Sequence, residues 1–243
     1  FSLPDWRDGY LPLGGEANAL IDGEFDENPA KWTGNGSRAS KPDQNDWYET
    51  VKVNYGVSPE GHREFDTLPE NFDSESYKKH FEFWQGKEVP SSWVKFKDIA
   101  LYWLDFGVDG FRYDMAEMVP VEFWSYMNSA IKMKNPDAFL MAEVYNPDLY
   151  RDYIRLGKMD YLYDKVDMYD SLKHIMKGYG WTDHIPVVRN KYNDIESHML
   201  YFLENHDEQR IASPEFVGNA NTAKPAMTVL ATIGTSPLMI YFG

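Results

Sequence analysis

Apolar and polar positions follow a regular order along the second half of this 243-residue chain. After residue 107, short apolar runs of strand length are separated by longer segments whose apolar residues recur with helical spacing. The runs that predict strands are DGFRYD, AFLMAEV, MDYLYDKV, MLYFLENHD and SPLMIYFG. Strands that alternate with helices predict an α/β fold with a parallel sheet or barrel, with five strands from residue 108 onward.

Helices are predicted before, between and after these strands. Ser91 or Ser92 can cap a helix that Gly107 ends. The apolar positions of that helix are Val94, Ile99, Leu101, Tyr102 and Leu104. Further helices are predicted at residues 77–84, 120–134, 148–157, 170–180, 184–195 and 223–234.

The first part of the chain lacks this regularity. Residues 1–46 are rich in Gly, Asp, Asn, Pro and Trp, and they predict irregular loops. Residues 47–53 alternate in polarity and predict a strand. The regular strand and helix pattern therefore starts well after the N-terminal residue.

Composition narrows the classes of function. The net charge is −15, from 39 acidic and 24 basic residues, which disfavours nucleic acid as a partner and is compatible with a neutral carbohydrate. The absence of cysteine excludes disulfides and thiolate catalysis, and no apolar run is long enough to span a bilayer. The many aromatic residues suit a core, and some could line a groove for sugars. The cellular location stays open, since secreted, periplasmic and cytoplasmic placements all fit.

Three acidic residues close three of the predicted strands. Asp114 ends DGFRYD, Glu143 ends AFLMAE and Asp207 ends LENHD, with spacings of 29 and 64 residues. These spacings match one and two strand–helix–strand units. Because the carboxyl ends of parallel strands meet at one rim, the three acids are expected in one cleft. Paired carboxylates in a cleft suit cleavage of glycosidic bonds.

The neighbours of these acids have both functional and structural interpretations. Arg112 shares a strand face with Asp114 and could keep it ionised, although an Arg–Asp pair that only stabilises the fold is an equal alternative. Glu143 follows apolar residues, which suits a general acid, but a strand-end Glu that faces solvent is the alternative. His206 could bind sugar hydroxyls beside Asp207. A metal site is disfavoured, because no partner stands at ligand spacing, and the other five histidines are expected on the surface or in packing.

Together, these motifs resemble the α-amylase superfamily of glycoside hydrolases. DGFRYDMAE is similar to its fourth-strand motif, AFLMAEVYN to its fifth, FLENHDEQR to its seventh and TSPLMIYFG to its eighth-strand segment. The resemblance implies Asp114 as nucleophile, Glu143 as general acid/base and Asp207 as stabiliser of the transition state. It also implies that Arg112 and His206 bind substrate. Residues 115–117 fall where members of the superfamily vary to set subsite preference.

The resemblance also implies the fold and the domain organisation. It predicts a partial (β/α)8 TIM barrel that contains strands four to eight. Residues 1–55 are then the remainder of an inserted loop-rich domain, and residues 56–243 form the C-terminal part of the catalytic barrel. Nothing before residue 91 matches the third-strand motif of the superfamily. We therefore expect a fragment with two unpaired sheet edges, whose isolated activity is doubtful.

The expected function is retaining hydrolysis of α-glucosidic bonds in starch-like or maltodextrin substrates, through a covalent glycosyl-enzyme. The alternatives are an α-glucoside transglycosylase or isomerase of the same superfamily, and a non-catalytic glucan-binding relative or inactive fragment. The expected partner is an α-glucan oligosaccharide or polysaccharide. The chemistry requires no cofactor. Many members bind structural calcium, and Asp22, Asp26 and Asn54 could supply oxygen ligands, although ordinary loop acids explain them equally well.

Overall fold

A computed structural model of the chain describes residues 53–58 and 61–242. The strand predicted at residues 47–53 lies outside the described residues except for Val53. Nearly all of the segment 1–55 lies outside them as well. The predicted boundary between residues 1–55 and 56–243 therefore stays a prediction.

The helices of the described residues occur where the periodicity predicts them. In chain order they are α1 (Tyr77–Trp84), α2 (Ser91–Asp105), α3 (Val121–Lys134), α4 (Tyr150–Arg155), α5 (Asp170–Met176), α6 (His184–Lys191) and α7 (Lys224–Thr232). The predicted cap of α2 is wrong, because Pro90 is its N-cap and Ser91 is already helical. Gly107 follows the end of α2 with a φ of 89°, a left-handed conformation that favours glycine at a helix terminus.

Four of the five predicted strands form one parallel sheet. They are β1 (Gly110–Tyr113), β2 (Phe139–Ala142), β3 (Tyr161–Tyr163) and β4 (Met199–Leu200), in the order β1-β2-β3-β4. The fifth contributes a parallel bridge between Leu238 and Tyr201, just after β4. Because neighbouring strands are parallel and follow one another in sequence, their carboxyl ends share one edge. The α/β fold with a parallel sheet is confirmed.

The chain after β3 departs from the prediction. Residues 164–166 were predicted as the end of a strand, but β3 stops at Tyr163 and a π-helix, Lys165–Tyr169, runs directly into α5. π-Helical turns are frequently found at functional sites. The continuous helix brings Lys165, Tyr169 and Lys173 to Glu208, which lies in the loop after β4.

An aromatic core joins α1, α2 and α3. Trp84, Trp93 and Phe123 are buried and pack edge to face. His80 is also buried, with Nδ1 at 2.7 Å from the Ser125 hydroxyl, and burial lowers its pKa to about 4. His80 is therefore a packing residue, as the sequence suggests.

The exposed face of α2 corrects the predicted helix orientation. Trp93 and Ala100 are its buried residues, whereas Val94, Ile99 and Tyr102, three of the predicted apolar positions, are exposed. The reason is that β1 is an edge strand among the described strands, with β2 as its neighbour. No described layer covers the other side of α2.

Candidate active site

The carboxyl ends of β1 and β2 bring Asp114 and Glu143 to one guanidinium group. Arg112 is on β1, and its Nη1 donates a hydrogen bond to Asp114 Oδ1. Its Nη2 lies 3.3 Å from Glu143 Oε1. The predicted contact between Arg112 and Asp114 is thus present, and the same positive charge also reaches the second acid.

Glu143 is buried and its two carboxylate oxygens each accept a hydrogen bond. Its side chain is 8% exposed, with Oε1 at 2.5 Å from the Tyr145 hydroxyl and Oε2 at 3.0 Å from the Met115 backbone nitrogen. The alternative of a strand-end Glu that faces solvent is therefore wrong. Asp114, in contrast, has a side chain that is 66% exposed.

Backbone geometry directs the Met115 nitrogen toward Glu143. The ladder between β1 and β2 continues past the strands, since Glu143 N donates to Tyr113 O at 2.9 Å and Ala116 N to Glu143 O at 3.0 Å. Met115 lies between these bonds with φ 45° and ψ 40°, a left-handed conformation that is costly for a residue other than glycine. A conformation of this kind is maintained only where surrounding contacts fix it.

Glu117 connects the segment after β1 to the segment after β2. Its Oε2 accepts hydrogen bonds from the backbone nitrogens of Tyr145 at 2.9 Å and Asn146 at 2.8 Å. The hydroxyl group of Tyr153, on α4, donates a hydrogen bond to the backbone oxygen of Glu117 at 3.1 Å. The resemblance implies a subsite position for residue 117, and these contacts add a second task, which is to hold the Tyr145 segment in place.

Tyr145 is a site residue that the sequence reasoning missed. Burial raises its pKa, and the hydrogen bond to Glu143 and the charges of Glu143, Asp207 and Glu208 raise it further, so its hydroxyl stays protonated and donates. Asp207 is thus near enough for its charge to act on the Tyr145 hydroxyl. An aromatic residue two positions after a strand-end Glu, on the same face of an extended segment, is the signal that could have identified it.

The third acid lies in the loop after β4. The Asp207 side chain is 54% exposed, and Oδ2 is 3.1 Å from His206 Nε2. The buried Asn205 shapes the loop, because its Oδ1 accepts hydrogen bonds from the backbone nitrogens of Asp207 at 2.9 Å and Glu208 at 2.8 Å. His206 and Asp207 thus point from a turn that Asn205 stabilises.

Glu208 anchors this loop to the helix that follows β3. Its carboxylate accepts from Tyr169 at 2.8 Å and Lys173 at 2.9 Å, and lies 3.1 Å from Lys165 Nζ. Burial opposes ionisation, but the bonds from Lys173, Tyr169 and Lys165 hold the pKa of Glu208 below its ordinary value. Lys165 also lies 5.9 Å from the centre of the Tyr145 ring. The sequence reasoning did not single out Glu208 or Lys165.

A further acid follows β3 but is buried. Asp164 accepts a hydrogen bond from Met168 N at 2.9 Å and so caps the π-helix. Burial raises its pKa to about 7. Asp164 directly follows β3 as Asp114 directly follows β1, but its surroundings make it a structural group.

The fold and the site define an α/β protein whose parallel strands present carboxylates at their carboxyl ends. Residues 31–243 match the sequence model of the alpha-amylase family, which is described as the alpha amylase catalytic domain. The chain therefore belongs to the alpha-amylase family. The roles predicted for Asp114, Glu143, Asp207, Arg112 and His206 stay predictions.

Known relatives agree with this membership. The chain is 26% identical over 156 residues to Alpha-amylase 3 of Dictyoglomus thermophilum, which covers 60% of this chain and 31% of that protein. It is 29% identical over 77 residues to the alpha-1,4-glucan:maltose-1-phosphate maltosyltransferase of Burkholderia pseudomallei, which covers 31% of this chain and 7% of that protein.

A solved structure has the same fold. The cyclic alpha-maltosyl-(1-->6)-maltose hydrolase of Arthrobacter globiformis matches with a TM-score of 0.56 at 21% identity, over 63% of this chain and 35% of that one. The chain thus spans about a third or less of the length of these relatives.

The described part of the chain lacks a cluster of metal-ligating side chains and a helix that could span a membrane. No group of three or more His, Asp or Glu side chains there has the arrangement of a metal site. Of the residues considered for calcium, Asp22 and Asp26 lie outside the described residues, and Asn54 is exposed within them. No described helix has both the length and the apolar character needed to cross a bilayer.

Proposed function

We propose that this chain carries the carboxylates of a retaining α-glucan hydrolase that acts on starch-like or maltodextrin substrates. Glu143 protonates the glycosidic oxygen while Asp114 attacks the anomeric carbon, which releases one sugar and forms a covalent glycosyl-enzyme. Glu143 then takes a proton from water, and the resulting hydroxyl group displaces Asp114 from the same carbon. Asp207 stabilises the positive charge that develops on the sugar ring.

The observation that carries the proposal is the shared contact of Arg112. One guanidinium group reaches both Asp114 and Glu143. Retaining enzymes need their two carboxyl groups ~5–5.5 Å apart, and a guanidinium that contacts both acids brings their oxygens near one another. Membership of the alpha-amylase family supports the choice of an α-glucan.

The surroundings of the two acids support the division of roles. Asp114 is exposed and contacts the Arg112 guanidinium, which orients the carboxylate for attack. Glu143 is buried, and the Tyr145 hydroxyl occupies Oε1. A carboxyl group has several lone-pair positions, so Glu143 can keep its hydrogen bond from Tyr145 while it protonates the glycosidic oxygen.

Substitution of the proposed nucleophile tests the function. In the full-length protein, Asp114→Asn should lower kcat on maltodextrin on the order of 10⁴-fold, because no covalent intermediate forms, while binding of maltoheptaose by calorimetry stays measurable. The exposed Asp137→Asn is the matched control and should leave kcat unchanged. Wild-type hydrolysis rates in Asp114→Asn would refute the assignment.

Transglycosylation is a second candidate, favoured by the similarity to a maltosyltransferase. It uses the same covalent intermediate, but a sugar hydroxyl replaces water as the acceptor. Incubation of the full-length protein with maltotriose, with and without maltose 1-phosphate, separates the two. Products longer than the donor indicate transfer, whereas only shorter sugars indicate hydrolysis. Glucan binding without any turnover would instead favour a non-catalytic relative.

A further inference from the structure

Two aromatic side chains between α5 and α6 are exposed to an unusual degree. Tyr179 is 78% exposed and Trp181 is 82% exposed. Large aromatic side chains are rarely left in water without a partner, because burial of each removes ~150–250 Å² of surface from solvent. This pair therefore calls for a specific explanation.

The edges of the sheet do not explain these two residues. Other strongly exposed aromatic side chains include Tyr102, Trp103 and Phe106 at the end of α2, next to the edge strand β1, and Phe242 near the opposite edge. The helices α5 and α6 follow β3, which is paired with β2 on one side and β4 on the other. Further strands added at either edge of the described sheet would not replace a neighbour of β3.

The turn that carries the pair is well ordered by backbone hydrogen bonds. Tyr179 N donates to His174 O at 2.9 Å, and Trp181 O accepts from His184 N at 3.1 Å at the start of α6. A Cβ at Gly180 would lie 2.9 Å from the backbone nitrogen of Ile175, so glycine is required where the turn packs on α5. The aromatic rings are thus presented by a fixed backbone, which lowers the entropic cost of binding.

A cavity of about 510 Å³ adjoins the two rings and is lined by polar groups. Among them, His174 Nδ1 is 2.8 Å from Asp170 O, and His184 Nδ1 is 3.3 Å from the Ser171 hydroxyl. For both imidazoles, Nε2 has no hydrogen-bond partner within residues 53–58 and 61–242. Flat rings beside short polar groups match a sugar, whose C–H face stacks on aromatic rings and whose hydroxyls bond to imidazole and carboxylate.

We propose that this cavity is a second α-glucan binding site, separate from the carboxylate rim. The two sites use different faces of one helix, because Tyr169 and Lys173 contact Glu208 near the rim, whereas Ser171 and His174 line the cavity. A polymer bound at Trp181 would be tethered beside the rim. The proposal rests on the proposed function only for its choice of an α-linked glucan.

Affinity electrophoresis of the full-length protein in gels that contain amylopectin tests this site. Trp181→Ala should raise the apparent dissociation constant for amylopectin on the order of fivefold, as expected for the loss of one stacked ring, and Trp181→Phe should retain most of the affinity. Because the side chain is exposed, neither change should disturb folding. Hydrolysis of a short chromogenic maltotrioside should stay at the wild-type rate, because Trp181 contacts none of the rim carboxylates that the structure describes.

Each outcome separates this proposal from the proposed catalytic function. Retardation of Trp181→Ala equal to that of the wild type would overturn the second site, and so would equal retardation of the wild type by a β-linked glucan. A wild-type protein that is retarded but hydrolyses nothing, with retardation lost in Trp181→Ala, would contradict the catalytic proposal and leave the second site standing.

Discussion

The rim of the sheet is constructed differently at its two ends. At β1 and β2, backbone bonds continue past the strands, and Met115 and Tyr145 donate directly to Glu143. At β4, Asp207 is exposed and contacts His206, while its neighbour Glu208 is held by residues 35 and 39 positions earlier in the chain. The proposed acid/base is therefore positioned by hydrogen bonds between the ends of two adjacent strands, whereas the position of Asp207 depends on the packing of a separate helix.

Within the β1–β2 half of the rim, removal of the Tyr145 hydroxyl should have the largest effect on activity. In the full-length protein, Tyr145→Phe should lower kcat on the order of 10- to 100-fold with little change in KM, because a hydrogen bond to a charged group stabilises by ~1.5–3 kcal/mol. The exposed Tyr102→Phe is the control, and an unaltered kcat in Tyr145→Phe would show that the hydroxyl is dispensable.

Removal of Glu117 should have a smaller effect on the same half. Glu117→Ala leaves the nitrogens of Tyr145 and Asn146 without their acceptor, and we expect kcat to fall about tenfold, since a hydrogen bond to a charged group contributes ~1.5–3 kcal/mol. Glu117→Gln keeps an acceptor and should recover most of the rate. If Glu117 acts through Tyr145, the double variant with Tyr145→Phe should lose no more than Tyr145→Phe alone. Fully additive losses would contradict this coupling.

Within the β4 half of the rim, a substitution at Glu208 should change the affinity for substrate more than the catalytic rate. Glu208→Gln removes the charge that Lys165 and Lys173 hold, so the loop that carries Asp207 becomes less fixed. We expect KM for maltodextrin to rise about threefold and kcat to change less, because charge-assisted bonds are roughly twice as strong as neutral ones. The exposed Glu215→Gln is the matched control. A larger loss in kcat than in affinity would mean that Glu208 supports the chemical step instead.

The same difference between the two halves explains what the sequence could predict. Strand and helix periodicity located the four paired strands and the helices, because those signals are local. The position of Asp114 and Glu143 at neighbouring strand ends follows from the parallel order of β1 and β2, so it was accessible too. The contact between Arg112 and Asp114 needs only the alternation of side chains along a strand.

Other features depend on contacts that no local pattern contains. The bond from Met115 N to Glu143 requires a left-handed residue that neither glycine nor asparagine marks in the sequence. The anchoring of Glu208 joins segments that are distant in the chain, and the exposed face of α2 depends on which strands lie beside β1. Asp164 has the sequence position of a rim acid, but its burial is decided by tertiary packing.

Substitution of Asp164 should have the smallest effect on activity and a separate, pH-dependent effect on stability. Its pKa is raised by burial from 3.8 to about 7, so the folded protein binds this proton more tightly than the unfolded chain does. Its contribution to stability is therefore fully present below about pH 4, falls as pH rises toward 7, and is constant above that. The loss amounts to roughly 4 kcal/mol at most.

Asp164→Asn removes this titration and can still accept from Met168 N. Relative to the wild type, the variant should gain stability steadily between about pH 4 and 7, with no further gain above pH 7 and an unchanged kcat. Chemical denaturation of both full-length proteins across this range measures the difference, with Asp137→Asn as the exposed control. A difference that does not vary with pH would mean that Asp164 is ionised throughout, and that nearby Lys191 offsets its burial. In that case the segment after β3 would resemble the β4 half, which ion pairs stabilise, more than the β1–β2 half, which backbone hydrogen bonds stabilise.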